Sequence, residues 1–157
     1  MITTNNTPAP HIILVAEDDA DDRLLAQDAL KDSEVPAELR FAENGEELLD
    51  YLFQRGKFGG GAPAPRPRLI LLDLNMPRMG GREVLRAIKG TPSLRCIPVV
   101  VLTTSKADTD IESIYELGAN SFITKPVRFD ALVHVMKTLG RYWFETVELP
   151  TLKHFML

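Results

Sequence analysis

Apolar residues collect along this chain in short unbroken runs, separated by stretches with the three- and four-residue spacing of helices. Leu69-Ile70-Leu71-Leu72 is the clearest run, without alternation, as a strand buried on both faces of a parallel sheet requires. His11–Ala16 (HIILVA) and Pro98–Leu102 (PVVVL) repeat the pattern, and Ala37–Ala42 and Ser121–Thr124 read as weaker strands. Between them, Ala26 with Ala29 and Leu30, Leu48 with Leu49, Leu52 and Phe53, Val84 with Ala87 and Ile88, and Ile111 with Ile114 and Leu117 mark four helices. Asp19 stands where the first of these needs its cap, with Asp21 and Asp22 in its first turn. Asn44-Gly45 turns into the second, Glu46–Arg55, while Gly90, Pro92 and Gly118 stop the later ones. A fifth helix, Phe129 to Phe144, has Phe129, Leu132, Val133, Met136 and Trp143 on one face and Val135, Leu139 and Tyr142 beside it. That is more apolar surface than one sheet face covers. Alternation of strand and helix predicts an α/β fold, a five-stranded parallel sheet with right-handed crossovers and helices on both faces.

Composition narrows this to one domain. The 157 residues are 45% hydrophobic, enough for one core and too few for two. We expect a disordered lead over 1–10, the domain over 11–144 and an extension over 145–157, the last too short for an output module. Gln54 to Arg68 holds four glycines and three prolines and reads as a solvated loop. A net charge of −4 without a basic cluster argues against nucleic acid and for protein partners. Cys96 is the single cysteine, which excludes a thiolate metal site or an internal disulfide. No apolar run nears the ~20 residues of a membrane span, and a cytoplasmic protein is expected.

The strand ends carry the chemistry. In open α/β sheets ligands bind at the carboxyl edge of the strands, where the chain places Glu17 and Asp18, Asp73, Thr103 and Lys125. Asp73 is followed by Asn75, Pro77 and Gly80-Gly81, a sharp turn with helical spacing resuming only near Arg82, too far for Asp73 to cap. Crowded carboxylates repel unless a cation joins them, and oxygen ligands without His or Cys point to Mg²⁺. Asp18 and Asp73 would ligate directly, Glu17 through water and Asn75 through its carbonyl. Lys125 offers a point charge and Thr103 a hydroxyl to phosphoryl oxygens, so Asp73 can act as a nucleophile forming an aspartyl-phosphate. Lys125-Pro126 is a candidate cis peptide. An aspartate-nucleophile phosphohydrolase is one rival, though it wants an acid where Asn75 stands. A phosphate-independent scaffold is the other.

The set Glu17-Asp18, Asp73 with DLNMP, Thr103 and Lys125-Pro126 resembles the receiver domain of two-component response regulators over about residues 11 to 144. The resemblance implies a flavodoxin-like strand order 2-1-3-4-5, a phosphoacceptor role for Asp73, and Mg²⁺ binding by Glu17, Asp18, Asp73 and the Asn75 carbonyl. It further implies phosphoryl sensing by Thr103 and Lys125 and a switch aromatic at Phe122, which also reads as a core residue. Such a domain catalyses only its own phosphotransfer and dephosphorylation. Gly80 departs from the family, which often has Asp there. Asn75 and Ser105 fall at the positions that tune the lifetime of the phosphorylated state, and Ser105, with neither acid nor amide, implies slow decay. The stretches DDADDRLLAQDALK, GREVLRAIK, PVVVLTTSKADTDI and RYWFETVELP are similar to single-domain regulators associated with phytochromes, implying a phytochrome-type histidine kinase as donor. The apolar surplus of the last helix and tail, at Val135, Leu139, Tyr142, Trp143 and Phe144 with Phe155, Met156 and Leu157, suggests a homodimer.

Overall fold

The structure, a computed structural model, describes residues 11–61, 64–104 and 108–150, the last from residue 110 onward for side chains. Five strands, β1 (His11–Ala16), β2 (Ala37–Ala42), β3 (Leu69–Leu72), β4 (Val99–Thr103) and β5 (Ser121–Thr124), form one sheet of order β2-β1-β3-β4-β5. Every neighbouring pair is parallel. Helices α1 (Ala20–Ser33), α2 (Gly45–Phe53), α3 (Gly81–Lys89) and α4 (Asp108–Glu116) make the crossovers, and α5 (Phe129–Gly140) follows β5. The doubly wound flavodoxin-like architecture is therefore the one expected.

Because side chains alternate across a strand, the apolar runs divide between two cores. Leu14, Ala16, Ile70, Leu72, Val99 and Val101 face α2, α3 and α4 through Leu48, Leu49, Val84, Leu85, Ile88 and Ile114. On the other face Ile13, Val15, Leu39, Leu69, Leu71 and Val100 meet Ala29 and Leu30 of α1 and Met136 and Leu139 of α5. Each large side chain so buried contributes about 1.5–3 kcal/mol. The register aligns Ala16, Leu72 and Val101 across β1, β3 and β4; β1 and β3 end there and β4 runs two residues further to Thr103, so the strand ends share one edge.

Three expectations change. In α2, Tyr51 is buried and Phe53 is 41% exposed. Tyr51 turns inward because its hydroxyl donates to the Pro65 carbonyl at 2.8 Å and its ring meets Phe58 edge-on. The 54–68 loop is consequently not simply solvated. It contains a 3-10 turn, Gly56–Phe58, packs Phe58 and Ala64 on the core, and is pinned by Arg66 donating to the Ser93 carbonyl at 2.6 Å.

The third change concerns the end of the domain. Beyond α5 a π-helical segment, Arg141–Thr146, continues the chain. Leu139 and Trp143, read as dimer contacts, are 6% and 8% exposed in the second core. Val135 and Phe144 pack against that core, as do Val147 and Leu149. Among the described residues, most of the apolar surplus of the last helix packs on the domain's own core, and Tyr142, 49% exposed, is the member of the set left at the surface. Residues 1–10, Phe155, Met156 and Leu157 lie outside the described residues, as does Ser105.

Candidate functional site

The acidic pair, Asp73, Thr103 and Lys125 each stand at or just past the carboxyl end of a strand. Glu17 and Asp18 follow β1, Asp73 follows β3, Thr103 closes β4 and Lys125 follows β5. Backbone bonds continue the sheet here, from Glu17 N to the Ala42 carbonyl, Asp73 N to Ala16 and Lys125 N to Thr103. The site therefore inherits the rigidity of the sheet.

Carboxylate oxygens of Glu17, Asp18 and Asp73 lie within 4.8 Å of one another. Glu17 is buried, Asp73 half-buried and Asp18 exposed, so the cluster opens to water on one side, as an ion that keeps water ligands needs. Hard oxygen donors at this spacing fit a divalent cation. Asp73 Oδ1 accepts from the Asn75 N–H at 3.1 Å and the Thr103 hydroxyl at 3.3 Å. The Asn75 carbonyl, expected as a ligand, sits in the exposed turn that this bond ties to Asp73. Phe122 is half-buried against the first core, opposite Val101, and its N–H donates to the Tyr115 hydroxyl at 3.1 Å.

Lys125 is the electrostatic centre. Its Nζ is 2.7 Å from Glu17 Oε2, 3.1 Å from Asp22 Oδ2 and 3.5 Å from Asp73 Oδ2. Burial alone would lower its pKa, but the hydrogen bond and charge of Glu17, with Asp73 and Asp22, outweigh it and push the value up. For Glu17, burial raises the carboxyl pKa against the pull of Lys125 and the Asp19 N–H, and the charge of Asp73 adds to the rise. These directions oppose within one pair. The charged ammonium is its firm member, since one cation faces three carboxylates. Lys125 attains this position with a trans peptide to Pro126, as no cis bond occurs among the described residues. The candidate cis peptide is thus trans here, and the long side chain enters the edge from that backbone.

Two functional neighbours escape a reading of the sequence. Asp22, read as surface charge, reaches Lys125. Arg23 Nη1 donates to both the Glu17 and Asp18 carbonyls at 3.0 Å, and Nη2 lies 3.7 Å from Glu43, fixing the backbone that presents the acidic pair. A signal for Arg23 exists. A cation in the first turns of a helix opposes the helix dipole, so its place calls for a local acceptor.

The edge thus combines a half-buried carboxylate, an acidic cluster that fits a divalent cation, an ion-paired ammonium and a hydroxyl. A response regulator receiver domain model matches residues 13–137. Response regulator Rcp1 of Synechocystis sp. is 43% identical over 141 residues, which span 90% of this chain and 94% of that protein. The structure of the phosphorylated cyanobacterial phytochrome response regulator RcpA is 42% identical with a TM-score of 0.81, covering 91% of this chain and all of that one (100%). The Mn²⁺-bound form of Rcp1 is likewise 42% identical, with a TM-score of 0.79 over 90% of this chain and 100% of that chain. With the sheet order, the clustered acids and these likenesses in agreement, the chain belongs to the response regulator receiver domain family.

Proposed function

We propose that Asp73 accepts a phosphoryl group from a histidine kinase in a Mg²⁺-dependent reaction, and that the protein then signals through protein contacts. The observation that carries this is the placement of Asp73 between the acidic pair and Lys125, with the Thr103 hydroxyl on its Oδ1. In the transfer, an Asp73 carboxylate oxygen bonds to phosphorus as the bond from phosphorus to the donor imidazole nitrogen breaks, its electron pair staying on the imidazole. Glu17, Asp18, Asp73 and the Asn75 carbonyl would hold Mg²⁺, which would supply the positive charge that lets one anion attack another. Lys125 and Thr103 hold the oxygens of the product, and the altered position of Thr103 is passed to Phe122 as a shift between two conformations.

A phytochrome-type kinase is the donor we favour, because RcpA, described as a phytochrome response regulator, resembles this chain over nearly its whole length. The chain is then a phosphoacceptor rather than an enzyme with an external substrate. A phosphohydrolase is disfavoured by Asn75, which puts an amide where that chemistry needs a second acid. For a homodimer, the exposed Tyr142 is the described residue of the last helix that supports a contact there.

Intact-mass spectrometry with acetyl phosphate and Mg²⁺ tests the assignment. Wild type should gain the mass of one phosphoryl group, Asp73→Asn none, and Asp18→Ala should lose labelling together with Mg²⁺ affinity. Lys125→Ala should label in part but show no conformational response. An unmodified wild type, or Asp73→Asn labelled as well as wild type, would overturn it.

A further inference from the structure

We infer that Asp22 is a positioning residue that competes with the phosphoryl group for Lys125; the inference rests on the phosphoacceptor reading above. An ammonium has three donors; that of Lys125 gives two hydrogen bonds, to Glu17 at 2.7 Å and Asp22 at 3.1 Å, and faces Asp73 as an ion pair at 3.5 Å. A phosphoryl oxygen arriving on Asp73 therefore meets a Lys125 already held by two other carboxylates and must draw it away from them. The three are not equally placed to yield. Glu17 is buried and also accepts the Asp19 N–H at 3.2 Å, and Asp73 carries the phosphoryl group itself. Asp22 has a side chain 40% exposed in the first turn of α1, where water can take over its bonds at little cost.

Asp22 also lies on the opposite side of the contest from Asp73. It draws Nζ toward α1 and adds negative charge beside an incoming anion. Its strength then sets how readily Lys125 engages the product, so the residue tunes the ratio of inactive to active conformations without touching phosphorus.

The probe is beryllofluoride, which mimics the phosphoryl group on an aspartate, titrated in Mg²⁺ with the whole chain. Asp22→Asn keeps the shape and removes the charge, and it should tighten binding by about three- to tenfold, the usual coupling within one ion-pair network. Asp21→Asn is the control. It removes the same charge one residue away from a side chain that is not among the partners of Lys125, and should leave the affinity within about twofold. Equal tightening by both would reduce the effect to general charge and overturn the inference, as would an Asp22→Asn that binds like wild type. A wild type that fails to bind beryllofluoride would instead refute the phosphoacceptor reading. If Asp22→Asn unfolds, Asp22→Ser replaces it under the same criteria, because Ser also suits a first helical turn.

Discussion

Asp19, Asp21 and Asp22 carry one side chain within a single helical turn and do three different things. Asp19 caps α1, its carboxylate accepting the N–H groups of Asp21 at 2.8 Å and Asp22 at 3.0 Å. Asp21 favours the positive end of the helix. Asp22 does this too, but its carboxylate meets a lysine 103 residues away. The first two roles are local and can be read from spacing, whereas the third exists only once β1 and β5 share an edge. His11 shows a residue-scale effect at the opposite edge. Its ring stacks on Phe144 with centroids 4.6 Å apart, and burial, then the charge of Arg68, lowers its pKa below the ordinary 6.5. The sign follows from proton counts. With a depressed folded value the unfolded chain binds the extra proton first, so this part of the stability is intact above about pH 6.5 and declines as pH falls below it. His11→Phe, which keeps the stack, should lose less stability than wild type between about pH 7.5 and 5.5. Urea midpoints at the two pH values measure this, and equal losses would remove His11 as the cause.

At the scale of elements, buried strands were the most legible part of the chain. LILL and HIILVA have the observed bounds, and β4 is displaced by one residue, because an apolar run with no polar face has one place to go. Turns were harder. Gly80-Gly81 suggested that glycine supplies the sharp turn after Asp73, yet the left-handed positions belong to Arg78 (φ 49°) and Met79 (φ 77°), while Gly80 sits at φ −73°. The reason for Gly81 is space. A Cβ there would stand 2.7 Å from the Asp73 carbonyl oxygen and 2.9 Å from Leu74 Cα, both backbone. Gly to Ala inside a helix ordinarily stabilises by up to about 1 kcal/mol, but here overpacking should win and Gly81→Ala should destabilise by about 1–3 kcal/mol. It should also weaken labelling at Asp73, whose carbonyl must move. Chemical denaturation of the variant decides, and a gain in stability would show that the loop gives way freely.

Over the whole molecule, the two cores on either face of the sheet explain why the C-terminal stretch could not be assigned from pattern alone. A run such as RYWFETVEL looks the same whether its apolar residues cover their own domain or a second copy, since both remove equal area from water. The difference lies in what α1, α5 and the sheet leave uncovered. Gly140 passes so close to Val35 that a Cβ would come within 2.6 Å of its methyl carbons. That approach draws the chain down and lets Trp143 fill the second core beside Met136 and Leu139. Trp143→Ala should therefore cost about 3–5 kcal/mol, a large share of the roughly 5–15 kcal/mol typical of a domain. The loss should be the same at every protein concentration, because Trp143 acts within its own domain's core whether or not the Tyr142 surface meets a second copy. Were Trp143 at a dimer contact, the substitution would abolish any rise of the melting temperature with concentration, whereas a core Trp143 leaves that dependence as it is in wild type. Calorimetry over a hundredfold range of concentration, about 1–100 μM, separates the two. A concentration-dependent wild type whose dependence disappears with Trp143 would return this residue to an interface.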